Sequence, residues 1–213
     1  MDILHSTLSE YLAIVPSAKQ YLTSLGIEMQ DDTQLLSALQ KVNKQDCIPR
    51  CEFLYRRAMA ERDWSAISNK DLVRYIIRNY HDVHRQQVAT LIDLARKVEA
   101  IHFGEPDCPT GITKALKKIY SDLDIHMLKE ERTVFPHFIN SPHTNCDEQI
   151  KNAQHDHEDH LTAIHSIKAL TKTFSPPAKA SHYWLDLYEQ LEMLYLDLTD
   201  HTYLEDSVLF MRS

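Results

Sequence analysis

Two stretches far apart in the chain repeat one pattern: His126-Met127-Leu128-Lys129-Glu130 and His201-Thr202-Tyr203-Leu204-Glu205. Each sets an imidazole and a carboxylate four residues apart, which on a helix places both on one face, one turn from each other. Each then enters an apolar run, Val134-Phe135 in the first and Val208-Leu209-Phe210 in the second. Neutral imidazole and ionised carboxylate are donors for a transition-metal ion, and helix bundles hold such ions between facing helices. Two further histidines share helical stripes with apolar residues, counting about 100° per residue. His81 lies with Ile77 and Val88, and His157 with Ile150, Ala153, Leu161 and Ile164.

Any one of these histidines alone would read as a buried ring satisfied by hydrogen bonds. The set does not. Buried glutamate is rare unless paired or coordinated, and an unpartnered carboxylate is costly in a core. Four imidazoles and two carboxylates converging inside a bundle would leave many polar atoms unmatched, and a pair of metal ions accepts all six. The chain has thirteen histidines. His5, His102, His143, His165 and His182 fall at element ends or on polar faces, where a surface role is the expectation.

The elements that must position these groups are long helices. Only three glycines occur, Gly26, Gly104 and Gly111, against 43% apolar residues, which argues for few, long helices rather than a sheet of many short strands. Residues 1 to about 58 hold short helical patterns, Leu8 to Leu25 and Asp32 to Lys44, and Glu61-Arg62-Asp63-Trp64-Ser65 reads as a connector. Four longer periodic segments follow. The first runs from about Asn69 to His102 and stops in Gly104-Glu105-Pro106. Thr110 can cap the second, whose inward face is Leu116, Ile119, Leu123, His126, Glu130 and Val134 and which ends near Asn140-Ser141-Pro142. The third begins around Cys146-Asp147 and is ended by Ser175-Pro176-Pro177. The fourth runs from about Lys179, with Leu191, Leu194, Leu198, His201, Glu205 and Val208 on one face. The spacing predicts an all-α protein: a small helical domain at 1–60 and an up-down-up-down four-helix bundle at 65–213.

Composition excludes several functions. The net charge of −8 gives no basic nucleic-acid surface and no polybasic membrane patch. No eighteen-residue apolar stretch exists, and the N-terminus does not read as a signal peptide. The four cysteines form no C-x-x-C pair, so a reduced, cytoplasmic setting is expected.

Donor types narrow the metal. Mixed imidazole and carboxylate in a bundle suits iron over manganese or zinc, and histidine predominates over carboxylate, a hemerythrin-like pattern rather than a ferritin-like one. The chain resembles the iron–sulfur cluster repair di-iron proteins, also called Repair of Iron Centres proteins. The matching pieces are Arg78 through Gln87, His126 through Glu131, Val134-Phe135-Pro136, and Asp200-His201 through Glu205 to Phe210. The likeness covers 65–213 well and the first 60 residues loosely. It implies a hemerythrin-like fold and two irons, oxo- or hydroxo-bridged, with ligands on His81, His126, Glu130, His157, His201 and Glu205. Glu130 and Glu205 would be the bridging carboxylates.

Two alternatives stand beside that set. In the crowded stretch Gln154 to His160, His157 is on the apolar stripe and His155 points about 200° away, the second choice for the third helix. Asp206 competes with Glu205, whose four-residue spacing repeats that of the first motif. His84 would orient a ligand or line an access path. One departure concerns the N-terminal domain: the family carries adjacent cysteines there, whereas Gly26 to Asp32 contains none. A thiol-dependent step in that domain is therefore not expected.

The function implied is repair of iron–sulfur clusters damaged by nitrosative or oxidative stress, by iron donation, nitric oxide binding or both. Iron–sulfur proteins would be the recipients, NO and O2 the small ligands, and nucleic acid and membrane would not be partners. A homodimer is one assembly compatible with this. The second reading is a hemerythrin-like O2 or NO carrier or sensor without a repair role. Reduction of NO or O2 would need an electron donor that the sequence does not reveal.

Overall fold

The computed structural model describes residues 2–29, 32–140 and 146–212 and divides into two compact units, Met1–Asp63 and Trp64–Ser213. Gln30, Asp31, Ser141, Pro142 and His143, on which part of the sequence reading falls, lie outside the described residues.

The first unit is helical. Thr7 opens α1 (Leu8–Ile14) with a capping box: its hydroxyl accepts from the Glu10 N–H at 3.2 Å, and the Glu10 carboxylate accepts from the Thr7 N–H at 2.9 Å. Pro16 interrupts the pattern expected to run to Leu25, so α2 (Ala18–Ser24) is a separate helix. Then come α3 (Leu35–Lys41) and α4 (Ile48–Ala60). The sequence pattern ended at Lys44 and missed α4, whose Ile48-Pro49 start suits the first turn of a helix. Leu8, Leu22, Leu35 and Leu39 form the core, and the buried Tyr11 hydroxyl donates to the Cys51 carbonyl at 2.9 Å. All four cysteines of the chain are free.

The second unit consists of four rods. The first is α5 (Asn69–Ile76), capped by Ser68, which continues through a π-turn (Ile77–His81) into α6 (Asp82–Ile101). The second is α7 (Ile112–Lys129), a π-turn (Glu130–Val134) and α8 (Phe135–Asn140). The third is α9 (Asp147–Leu170). The fourth is α10 (His182–Tyr203), a π-turn (Leu204–Leu209) and a short 3-10 turn (Phe210–Arg212). α6 packs on α7, α7 on α9, α9 on α10 and α10 back on α6, which closes the bundle. Its apolar core interleaves Leu91, Val98, Leu116, Leu123, Ile164, Leu191 and Leu194, all buried. No helix among the described residues is long and apolar enough to cross a membrane.

Several local expectations change. Thr110 does not cap α7: Gly111 takes the cap at φ 94°, and the Glu99 carboxylate accepts from its N–H. Only glycine adopts that backbone without strain. α9 ends at Leu170, before Ser175-Pro176-Pro177, because Lys172, Thr173 and Phe174 all turn left-handed. His102 is not a surface residue but 6% exposed. Its ring lies 4.7 Å from that of Trp184 and hydrogen-bonds Glu105 at 2.9 Å and Ser181 at 2.8 Å, tying the end of α6 to the start of α10.

The π-turns account for the remaining differences. Each inserts one residue, so the inward face advances by five positions instead of four. Ile76, not Ile77, is therefore fully buried five residues ahead of His81; Phe135 and Phe210 are buried five residues beyond Glu130 and Glu205, while Val208, expected on the inward face, is half-buried.

Leu194→Ala should lower unfolding free energy by about 2–5 kcal/mol, as buried leucine truncations do. Ile101→Ala, at a side chain 54% exposed, should change it by less than about 0.5 kcal/mol. Chemical denaturation of both variants measures the contrast.

Candidate metal centre

The three π-turns sit where the donor residues are. His81 ends the first, Glu130 opens the second and Glu205 lies in the third. His126 and His201 stand one helical turn before the two glutamates, and His157 faces them from the middle of α9. Among the described residues, these six side chains form two overlapping groups. One comprises His81, Glu130, His201 and Glu205, the other His126, Glu130, His157 and Glu205, with the potential donor atoms of each group within 4.8 Å of one another. Both glutamates belong to both groups.

All six residues are 0–2% exposed, and the four histidines point their Nε2 atoms inward. In the first group His201 Nε2 is 2.9 Å and His81 Nε2 3.3 Å from Glu205 Oε1, and the two nitrogens are 3.0 Å apart. In the second, His126 Nε2 is 3.2 Å from Glu130 Oε2, and His157 Nε2 is 3.0 Å from Glu205 Oε2. Despite this crowding, both oxygens of Glu130, Glu205 Oε2 and the Nε2 atoms of His126 and His157 make no hydrogen bond. Buried polar atoms are rarely left so. Lone pairs aimed at common points, rather than at protons, are what a cation would accept, so the residues present fit a metal.

The outer nitrogens are held by carboxylates. His81 Nδ1 lies 2.8 Å from Glu131, which also accepts from Arg85 at 2.9 Å; Arg85 bonds Asp124 at 2.9 Å as well. His157 Nδ1 is 3.0 Å from Asp206 and His126 Nδ1 is 3.4 Å from Asp156. Such partners fix the tautomer and aim the inner nitrogen. Aromatic rings close the space: Phe135 lies against His81 at 5.4 Å, Tyr80 stacks on His201 at 5.5 Å, and Phe210 stacks on His157 at 6.3 Å.

The sequence alternatives separate cleanly. The His155 side chain is 73% exposed and outside both groups. Asp206 backs His157 instead of joining the cluster, and His84 is buried with its ring 5.2 Å from that of His201. Sequence reasoning did not find Asp156 or the buried His160, whose ring is 4.9 Å from that of His126. Glu131 was read only as part of a motif. Its position next to Glu130, turned off the inward face toward His81, is a signal only once the rods are placed.

Electrostatics among these side chains are lopsided. Burial, then repulsion from Glu205, push the Glu130 carboxyl up to about 8. Burial also penalises charge on Glu205, but His201, His157 and His81 outweigh it and draw that carboxyl well down. Burial opposes the charged form of His81, yet hydrogen bonds to Glu131 and Glu205 lift it to about 9. Burial and the neighbouring His157 push His126 down.

Four rods around an imidazole-and-carboxylate centre define a hemerythrin-like bundle, and residues 72–213 match the Hemerythrin HHE cation binding domain. The chain is also similar along its length to curated proteins named "Iron-sulfur cluster repair protein YtfE". It is 31% identical over 211 residues to that of Pectobacterium atrosepticum, covering 97% of this chain and 96% of the relative. For that of Dickeya chrysanthemi the identity is 32% over 217 residues, with coverage of 100% and 98%. A "Probable iron-sulfur cluster repair protein" of Haemophilus influenzae is 36% identical over 152 residues, 71% of this chain and 68% of the relative. The chain belongs to the iron–sulfur cluster repair family of hemerythrin HHE-domain proteins.

Above pH 6.5 the unfolded chain has released the protons that folded His81 and Glu130 still hold, up to about 9 and about 8. Stability falls with pH wherever the native state binds more protons. The thermal midpoint of the metal-free protein should therefore drop between pH 6.5 and 9. A midpoint that stayed level or rose over this range would show that these protons are not held.

Proposed function

We propose that this chain holds two iron ions, one between His81 and His201 and one between His126 and His157, with Glu130 and Glu205 shared, and uses them in repairing damaged iron–sulfur clusters. The observation that carries this is the pair of four-residue groups overlapping in two buried carboxylates. The relatives' names supply the repair role. Recipients would be iron–sulfur proteins.

Iron bound by imidazole and carboxylate supplies a redox-variable centre that takes up small molecules such as nitric oxide, and this donor set releases it more readily than thiolates would. The chain's own groups define the rest. With a metal bound each histidine would present an unprotonated Nε2, and Glu131, Asp206 and Asp156 would hold the proton on Nδ1 of His81, His157 and His126. Glu205 turns Oε1 toward His81 and His201 and Oε2 toward His157, while Glu130 Oε2 lies between His81 and His126 and Oε1 faces His157, so both carboxylates would be shared by two cations and would neutralise part of their charge. Loading requires the proton on Glu130 to leave, so uptake near neutral pH releases protons. Phe135, Phe210 and Tyr80 limit water around the donors.

Elemental analysis after iron loading should give two irons per chain, and Glu205→Ala should lose most of both. The iron-loaded protein should restore an iron–sulfur enzyme inactivated by nitric oxide faster than the metal-free protein does. Equal recovery in the two arms would rule out the repair role. Glu131→Ala should weaken iron affinity roughly 10–100-fold without removing a ligand, as competition with a chelator would measure.

A further inference from the structure

Three aromatic rings in the second unit form a line that ends on a metal donor. Trp64 is 5% exposed, and its ring lies 4.7 Å from that of Tyr75 at 51°. Tyr75 meets Tyr80 edge to face at 6.1 Å, and the fully buried Tyr80 stacks on His201 at 5.5 Å and 7°. Oxidisable rings thus join a half-buried position on α5 to a proposed iron ligand. Local structure accounts for the alignment. Tyr75 and Tyr80 stand five residues apart across the π-turn Ile77–His81, the advance that keeps side chains on one face there. Trp64 belongs to a connector clamped by Arg212, whose guanidinium donates to the carbonyls of Trp64 at 2.6 Å and Ile67 at 2.8 Å and to Asn69 Oδ1 at 3.1 Å.

Aromatic contacts of this geometry are ordinary core packing. The two ends set this line apart: one touches a donor of the metal centre, the other lies on a rod that carries exposed cations. Arg74 and Arg78 flank Tyr75 within one turn, and Lys70 lies one turn before Arg74; all three are exposed in a chain of net charge −8. Asp71 pairs with Arg74 at 3.6 Å, while Lys70 and Arg78 have no carboxylate partner among the described residues. A second line of rings, from His157 through Phe210 and Phe138 to His137 at 6.3, 5.9 and 5.3 Å, is built on phenylalanine instead. The π electrons of phenol and indole lie closer in energy to a metal's redox level than those of phenyl, so an electron tunnels more readily along the first line.

We infer that Trp64, Tyr75 and Tyr80 are the route by which electrons reach the centre, and that the donor is an acidic one-electron carrier protein docking beside Lys70, Arg74 and Arg78 on the first rod. The inference rests on the di-iron reading above and adds the side from which the irons are reduced. The step is electron transfer alone. The reduced carrier loses one electron and one Fe3+ becomes Fe2+; a second carrier molecule reduces the other iron. The rings stay neutral between the two, and no bond or proton changes hands on them. An acidic carrier meets cations at this face, whereas the chain's overall negative charge disfavours its approach elsewhere.

The test is stopped-flow reduction of the iron-loaded, oxidised protein, followed as loss of ferric absorbance, with flavodoxin hydroquinone as the protein donor and dithionite as a small one. Dithionite, unlike flavodoxin, is small enough for the groove of about 510 Å³ between α7 and α9, lined by His160 beside His126. Tyr75→Leu should slow reduction by flavodoxin about tenfold, with Tyr75→Phe falling between that variant and the native protein. Phe138→Leu, on the phenylalanine line, should leave the rate unchanged. Arg78→Glu should slow the flavodoxin reaction about tenfold at low salt, and added salt should bring its rate and the native rate together. Dithionite should reduce every variant at the native rate. Fewer than two irons per chain, or no ferric absorbance, would overturn the di-iron reading itself. With two irons bound, the electron route is overturned if flavodoxin does not reduce the native protein or reduces Tyr75→Leu at the native rate. It is overturned as well if Tyr75→Leu slows dithionite equally, or if Phe138→Leu slows flavodoxin as much. A native rate for Arg78→Glu would overturn the docking face.

Discussion

Two carboxylates and four imidazoles are confined where water cannot solvate them, between a leucine-rich core on one side and phenylalanine rings on the other. An ionised carboxylate transferred to such a place is strongly disfavoured unless a cation or hydrogen bonds answer it. The two glutamates show the tension: burial and then Glu205 drive Glu130 up, whereas His201, His157 and His81 outweigh burial and draw Glu205 down. A bound cation would remove that conflict. The surrounding architecture can be understood as the framework that brings this conflict about and holds it in place.

The framework uses two devices. Long rods supply rigidity, with α9 and α10 running 24 and 22 residues without a break. The π-turns supply aim. In an unbroken helix the stripe that carries Leu191, Leu194 and Leu198 would drift past the centre before presenting both a ligand and a closing aromatic residue. The inserted residue keeps Phe135 and Phe210 inward at five positions beyond Glu130 and Glu205. Ligand and closing ring thus face the same interior point from one rod.

The outer carboxylates divide the work unevenly. Glu131 belongs to an ion-pair network with Arg85 and Asp124, whereas Asp156 borders an open groove and pairs with an exposed lysine. The first unit lacks thiols between Gly26 and Asp32, and its cysteines lie in or beside α4 instead, with Cys51 buried and its thiol pushed up to about 12 by burial. Reactivity at that thiol is correspondingly low.

Much was legible in the chain alone because the information is local. A histidine and a glutamate four apart on an apolar stripe remain on one face whatever packs against it, so the inward placing of His126, Glu130, His201 and Glu205 was readable, as were the four rods themselves, though not where the third one ends. His157 was preferred to His155 on the same periodicity. What that reading missed depends on relations between rods or on departures from ideal geometry. The burial of Ile76, five residues before His81, follows from a π-turn, which a fixed angle per residue cannot anticipate. His102, Glu131, Asp156 and His160 gain their meaning from partners 30 to 79 positions away. Helical periodicity is written into consecutive residues, whereas the company a side chain keeps is set by which helices are brought together.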